Sequence, residues 1–179
     1  MPTYEAITVL GVNCLTTDVT VTASVVNTTK TALDSKALPS DVLGSLGRNL
    51  HIRARGLITT SAVPVTYNVF VDYGTTRVCS TGVFTPTAAM TNSNWELECD
   101  VTTTVVGTAA GGGTVEGQGI FRYYPTASTI AVQTLTNGGA VSMTNTGIVT
   151  PRLAIQYGGN TLGNSINIRT DVWEVGGLV

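Results

Sequence analysis

The chain has 179 residues, a length that fits one domain and lets roughly 70% of the unfolded surface leave water. Charged residues are only 11% of it, against about 25% in an average globular protein, and the formal net charge is -2. With 42% hydrophobic residues this excludes a disordered chain, and nine scattered Lys and Arg without a basic tail exclude a phosphate-neutralising, nucleic-acid-packaging surface.

No stretch approaches the roughly 20 apolar residues of a membrane helix, so no membrane partner is expected. The opening Met1-Pro2-Thr3-Tyr4-Glu5 has neither a basic nor an apolar segment of the signal-peptide kind. What fills the chain instead is threonine, 32 residues of it, whose β-branched side chains suit a pleated, half-buried surface.

In chain order, residues 1–18 read as an N-terminal arm or an extra strand, since Gly11-Val12-Asn13 interrupts the first apolar run. Residues 19–179 read as one body. Period-two alternation predicts strands over 19–27, 29–37, 48–60, 65–73, 76–84, 94–106, 113–124, 128–136, 140–146, 151–158 and 165–175. Between the second and third, Ala37 to Gly47 has room for one helical turn. The third strand puts Leu50, Ile52 and Ala54 on one face and His51, Arg53 and Arg55 on the other. Val65, Tyr67, Val69, Val71 and Tyr73 form the next apolar row. Tyr73-Gly74-Thr75-Thr76 is a tight hairpin signal, and Asn137-Gly138-Gly139 another. Trp95, Leu97, Cys99 and Val101 oppose an acidic face of Glu96, Glu98 and Asp100. Gly107 to Thr114 reads as a flexible hairpin tip. In the last strand Ile166, Ile168, Thr170, Val172 and Glu174 share one face, and Asn167, Arg169, Asp171, Trp173 and Val175 the other, which suggests contact from both sides. Eleven short strands at about ten-residue spacing predict an all-β fold, a two-sheet antiparallel β-sandwich of jelly-roll type.

Chemistry is scarce. The one histidine, His51, sits mid-strand in the row Arg48, His51, Arg53, Arg55, with no GxSxG elbow anywhere in the chain, so no catalytic site and no enzyme activity are expected. One His and three dispersed cysteines (Cys14, Cys79 and Cys99) lack zinc-ligand spacing, and no cofactor is expected. The cysteines read as buried reduced thiols. The glycine-rich run lacks the Lys-Ser/Thr and the helix of a phosphate loop.

Two features point to assembly. Long strands with only Lys30 and Lys36 for lysine leave sheet edges undefended, which favours edges covered by other subunits in a closed oligomer. The basic stripe His51, Arg53, Arg55 and the acidic stripe Glu96, Glu98, Asp100 either pair within one sheet or meet across a subunit interface, where they would set register.

From Leu46 onward the chain resembles the trimeric jelly-roll capsid cement or decoration proteins of tailed bacteriophages, and related tail modules. The segments that carry the likeness are Gly47-Arg48-Asn49-Leu50-His51-Ile52-Arg53-Ala54-Arg55-Gly56, Val71-Asp72-Tyr73-Gly74-Thr75-Thr76 and Thr91-Asn92-Ser93-Asn94-Trp95-Glu96-Leu97, followed by Gly113 to Gly119 and Asn164-Ser165-Ile166-Asn167-Ile168. They are spread over about three-quarters of the chain and are strand and turn signatures, with no catalytic residues among them. The resemblance implies a homotrimer seated on the major capsid protein, on the capsid exterior of a virion assembled in a bacterial cytoplasm. There it would stabilise the shell against DNA pressure. The N-terminal arm lies outside the likeness and is the candidate shell contact, through Pro2, Tyr4, Glu5 and Ile7. The alternative is a tail or fibre module binding host glycans, for which Tyr123-Tyr124-Pro125 and Trp173 are the aromatic candidates.

Overall fold

The computed structural model describes residues 8–22, 29–38, 43–107, 112–137, 139–143, 150–159 and 162–176. Eleven strands run in chain order: β1 (Thr8–Thr22), β2 (Thr31–Ser35), β3 (Asn49–Thr59), β4 (Tyr67–Tyr73), β5 (Thr76–Ser80), β6 (Ser93–Val105), β7 (Gly113–Thr126), β8 (Thr129–Leu135), β9 (Val141–Met143), β10 (Pro151–Tyr157) and β11 (Ser165–Gly176). β1 extends past residue 18, where the sequence reading divides arm from body, and its pairing with β11 shifts register between Cys14 and Val19. Pro2, Tyr4, Glu5 and Ile7 lie outside the described residues.

The strands form two antiparallel sheets. The larger has the order β1-β11-β3-β6-β7-β8, with β9 also on β7, and the smaller β2-β10-β4-β5. The pairings nest: β1 with β11, β2 with β10, β3 with β6, and β4 with β5. Such nesting is what a long hairpin produces when it rolls up and deals alternate strand pairs to two sheets. This is jelly-roll connectivity, with β7, β8 and β9 inserted between the sixth strand and the tenth to widen the larger sheet. The Gly74-Thr75 hairpin sits at the innermost nest. Tyr73 pairs Thr76, and Gly74 takes φ 64°, the positive value that a two-residue turn with glycine first requires.

Alternation places the core between the sheets. Leu50, Ile52, Ala54 and Ile58 of β3, with Trp95, Leu97, Cys99 and Val101 of β6, face Tyr67, Val69, Val71, Leu153, Ile155 and Tyr157. The aromatic rings interlock: Tyr67 meets Tyr157 edge-on at 4.9 Å, and Trp95 packs on Phe121 at 5.6 Å. Burial away from water pushes the Tyr67 and Tyr157 phenols far above their ordinary range and that of Tyr73 up to about 12.

Two expectations need correction. The two-face pattern of the last strand does not run through it, because Ile168 pairs Gly56 and Thr170 pairs Arg55, leaving Arg169 as the extra residue of a β-bulge. The bulge reverses parity, so the inward set is Ile166, Ile168, Asp171, Trp173 and Val175. Next, Asn137–Gly139 does not join two paired strands. β8 lies along Gly119–Thr126 and β9 along Gly113–Val115 of the same β7, and between them Thr136 leaves the sheet to exchange two backbone hydrogen bonds with Ser80 of the other. The helical turn expected between Ala37 and Gly47 falls on residues 39–42, which lie outside the described residues; on either side are a bridge at Leu38 and turns at 43–47. Of the glycine-rich tip, residues 108–111 also lie outside the described residues.

Candidate functional site

The outer face of the larger sheet carries the charged stripes. β3 and β6 are neighbours in a register that sets His51 opposite Asp100, Arg53 opposite Glu98, and Arg55 opposite Glu96. All six candidate residues are thus brought together within one sheet of one chain. His51 Nδ1 lies 2.7 Å from Asp100 Oδ1, and Asn49 Nδ2 donates to the same oxygen at 2.8 Å. Arg53 Nε donates to His51 Nε2 at 2.8 Å, so that nitrogen is the acceptor and Nδ1 carries the ring proton that Asp100 receives. The Arg53–Glu98 and Arg55–Glu96 pairs are looser, at 3.5 and 3.8 Å.

A third strand completes the array, and sequence reasoning missed it. β7 places Arg122 opposite Glu96 and Ile120 opposite Glu98. Arg122 forks between the two carboxylates, 3.2 Å from Glu96 Oε1 and 3.4 Å from Glu98 Oε2. The Tyr124 hydroxyl donates to Glu96 Oε1 at 2.6 Å, and this hydrogen bond raises the phenol above its ordinary range. Arg122 and Tyr124 alternate outward along their strand, a signal that was present in Ile120-Phe121-Arg122-Tyr123-Tyr124 but had no partner until the strand order was known.

The result is a ladder of three guanidiniums and three carboxylates around a shallow depression of ≈ 230 Å³ lined by Arg53, Arg55, Glu96, Glu98 and Arg122. With equal opposite charges it offers no net attraction to a polyanion or polycation. Each carboxylate already has a cation or N–H donor, so none is held as an unpaired acid or base. Surface pairs of this kind contribute well under about 1 kcal/mol each, and their chief effect is to fix register.

Two further charged clusters were not anticipated. On the outer face of the smaller sheet Asp72 is fully buried, accepting from Lys30 and, at 3.2 Å, from Arg152. Phe70, beside it, is capped by the Arg77 guanidinium 4.0 Å from the ring centroid and by Lys30 at 5.2 Å. At one flank of the sandwich, Asp171 of β11 and Asp34 of β2 share Lys36, whose Nζ is 3.4 and 3.2 Å from them. Burial first, then the Asp34 carboxyl, pushes Asp171 up to about 6, while Lys36 and the Trp173 indole N–H pull the other way. Among the described residues no group of three or more His, Cys, Asp or Glu is placed to hold a metal ion. Of the aromatic candidates for glycan binding, Trp173 is fully buried and Tyr123 is buried against Phe84.

Comparison of the chain with protein-family models, with curated proteins and with solved structures finds no match in any of the three.

Proposed function

We propose that this chain is a structural component of a virus particle, a non-enzymatic cement protein that binds as a trimer to a capsid shell and stabilises it against internal DNA pressure. The observation that carries the reading is the undefended margin of the larger sheet. β8, Thr129-Ile130-Ala131-Val132-Gln133-Thr134-Leu135, has no charge and no proline, and Ile130 and Val132 project from it 56% and 52% exposed. Strands that end a sheet in solvent ordinarily carry lysine, proline or an inward charge to prevent pairing with other chains. One that carries none is suited to burial by a neighbour, either by strand addition or by a covering face. The adjoining charged ladder, saturated within the chain, would form the polar rim of such a contact. Three equal subunits would then engage the shell through many individually weak contacts whose avidity resists rupture. Fold alone does not supply this reading, because jelly rolls serve many tasks.

Electron microscopy of particles assembled with and without the chain tests it. The expected outcome is added threefold density on the shell, with DNA retained to higher temperature than in particles lacking the chain. Density confined to the tail, or no change in DNA retention, refutes the proposal.

A further inference from the structure

We propose that Cys79 and Cys99 form an oxidation site that locks the two sheets together with a disulfide when the chain meets a small-molecule disulfide oxidant. This inference does not rest on the cement reading and concerns the isolated chain. Cys79 belongs to β5 of the smaller sheet and Cys99 to β6 of the larger, and both are fully buried with Sγ atoms 3.4 Å apart.

Their meeting is built by local features on both sides. In β5 the register passes from Val71↔Cys79 to Asp72↔Arg77, so Val78 is an extra residue and the bulge turns both Val78 and Cys79 inward. On the facing sheet two glycines make the room. A Cβ on Gly117 would lie 2.6 Å from Val78 Cγ1 and 3.1 Å from both Cβ and Sγ of Cys79; one on Gly119 would lie 2.9 Å from Cys99 Cβ. A larger side chain at Gly117 would press on Cys79 itself, and one at Gly119 on the backbone of Glu98 and Cys99.

Bond formation needs the sulfurs to close from 3.4 Å to about 2.05 Å. β5 is five residues long and ends its sheet, so it opens at lower cost than an interior strand and carries Cys79 with it. The opened Cys79 thiolate attacks one sulfur of the oxidant and expels the other as a thiolate, giving a mixed disulfide. While β5 is still open and Cys99 is reached by water, the Cys99 thiolate attacks the Cys79 sulfur and expels the second oxidant thiolate, and the strand then recloses over the disulfide. The two protons released by the cysteines end on the two small thiols, and the two electrons lost by the protein reduce the oxidant. In the closed state the hydrogen bond to Cys79, then burial, holds the Cys99 thiol well above its ordinary range, which keeps the reduced pair inert until β5 opens.

The test uses the full reduced chain incubated with oxidised glutathione in urea below the unfolding transition, then blocked with N-ethylmaleimide in full denaturant so that every remaining thiol is labelled. The expected product has lost two hydrogens, carries one maleimide at Cys14, yields a cross-linked Cys79–Cys99 peptide, and melts roughly 5–10 °C higher until dithiothreitol is added. Cys14→Ala keeps both the cross-link and the rise, while Cys79→Ala and Cys99→Ala lose both. Three maleimides, a link through Cys14, a mixed disulfide that never closes, or a cross-link without a rise in melting temperature each overturn the proposal. The wild-type peptide map decides the matter should an alanine variant fail to fold.

Discussion

The indole N–H of Trp95 is shared between the main-chain oxygens of Leu57 at 3.2 Å and Asn167 at 2.8 Å, tying β6 to β11 across the intervening β3. It can do so because residue 56 of β3 has no side chain. A Cβ on Gly56 would stand 1.9 Å from the Asn167 oxygen and 2.8 Å from the indole nitrogen. Gly56→Ala is therefore expected to destabilise the fold by roughly 2–4 kcal/mol, since neither backbone oxygen nor a fully buried ring can yield freely. Trp95→Phe keeps most of the ring but removes the N–H that the Leu57 and Asn167 oxygens share, and about 1–3 kcal/mol is expected to be lost. Urea unfolding followed by fluorescence of Trp173 measures both. A Gly56→Ala variant within 0.5 kcal/mol of wild type would show that the close approach is not tight.

The strand positions were legible because β3, β6, β7 and the second half of β11 alternate over five or more residues, and period two is a local property. Pairing is not local. Nothing in Glu96-Leu97-Glu98 says that His51-Ile52-Arg53 is its neighbour on one side and Arg122 on the other, so the stripes were visible while the ladder was only one of two alternatives. The bulge at Arg169 was hidden for a related reason. Apolar residues occur on both sides of it, so only the ladder shows where Ile168 hands the inward face to Asp171 and Trp173. Asp72, by contrast, alternates with the apolar row of Tyr67, Val69, Val71 and Tyr73 and so falls on the outer face, and its burial depends on Lys30 and Arg152 arriving from two other segments.

The Asp34–Asp171 pair gives the chain an acid-favoured contribution to stability. Asp171 is raised from 3.8 to about 6 in the folded chain, so between these values the folded state holds a proton that the unfolded state has lost. This contribution is fully present below about pH 4 and is lost as pH rises through about 6, amounting to something on the order of 1–2 kcal/mol. Asp171→Asn preserves an acceptor for the Trp173 indole and removes the titration. Thermal melts at intervals from pH 4 to pH 7 are expected to show a flatter profile in the variant. An unchanged slope would place the proton elsewhere.

Reversing Arg53 and Arg55 to Glu places like charges opposite Glu98 and Glu96, and a loss of roughly 1–2 kcal/mol is expected at low salt, shrinking as ionic strength rises. Adding Glu96→Arg and Glu98→Arg is expected to recover less than half of this. Arg122, which now bonds both carboxylates, would face two guanidiniums instead. Reversing Arg122 to Glu as well is expected to restore most of the remainder. Full recovery with four substitutions would mean that Arg122 contributes nothing to the array.

Ile130→Lys and Val132→Lys are expected to leave the melting temperature of the isolated chain nearly unchanged, because both side chains stand more than half in solvent. If β8 is buried between subunits, the same pair of substitutions lowers the mass in sedimentation equilibrium toward that of a single chain. A mass identical to wild type would exclude this edge from the contact.

The nested pairing also orders events in time. β4 and β5 meet across two residues, whereas among the described residues Thr8–Thr22 finds its ladder partner in Ser165–Gly176. As the ribosome delivers the chain, the first strand made must wait, with its hydrogen-bonding groups unspent, until the last has emerged. β1 is thus exposed longest to pairing with some other polypeptide, and a nascent-chain chaperone or a neighbouring copy meets it before its own sheet does.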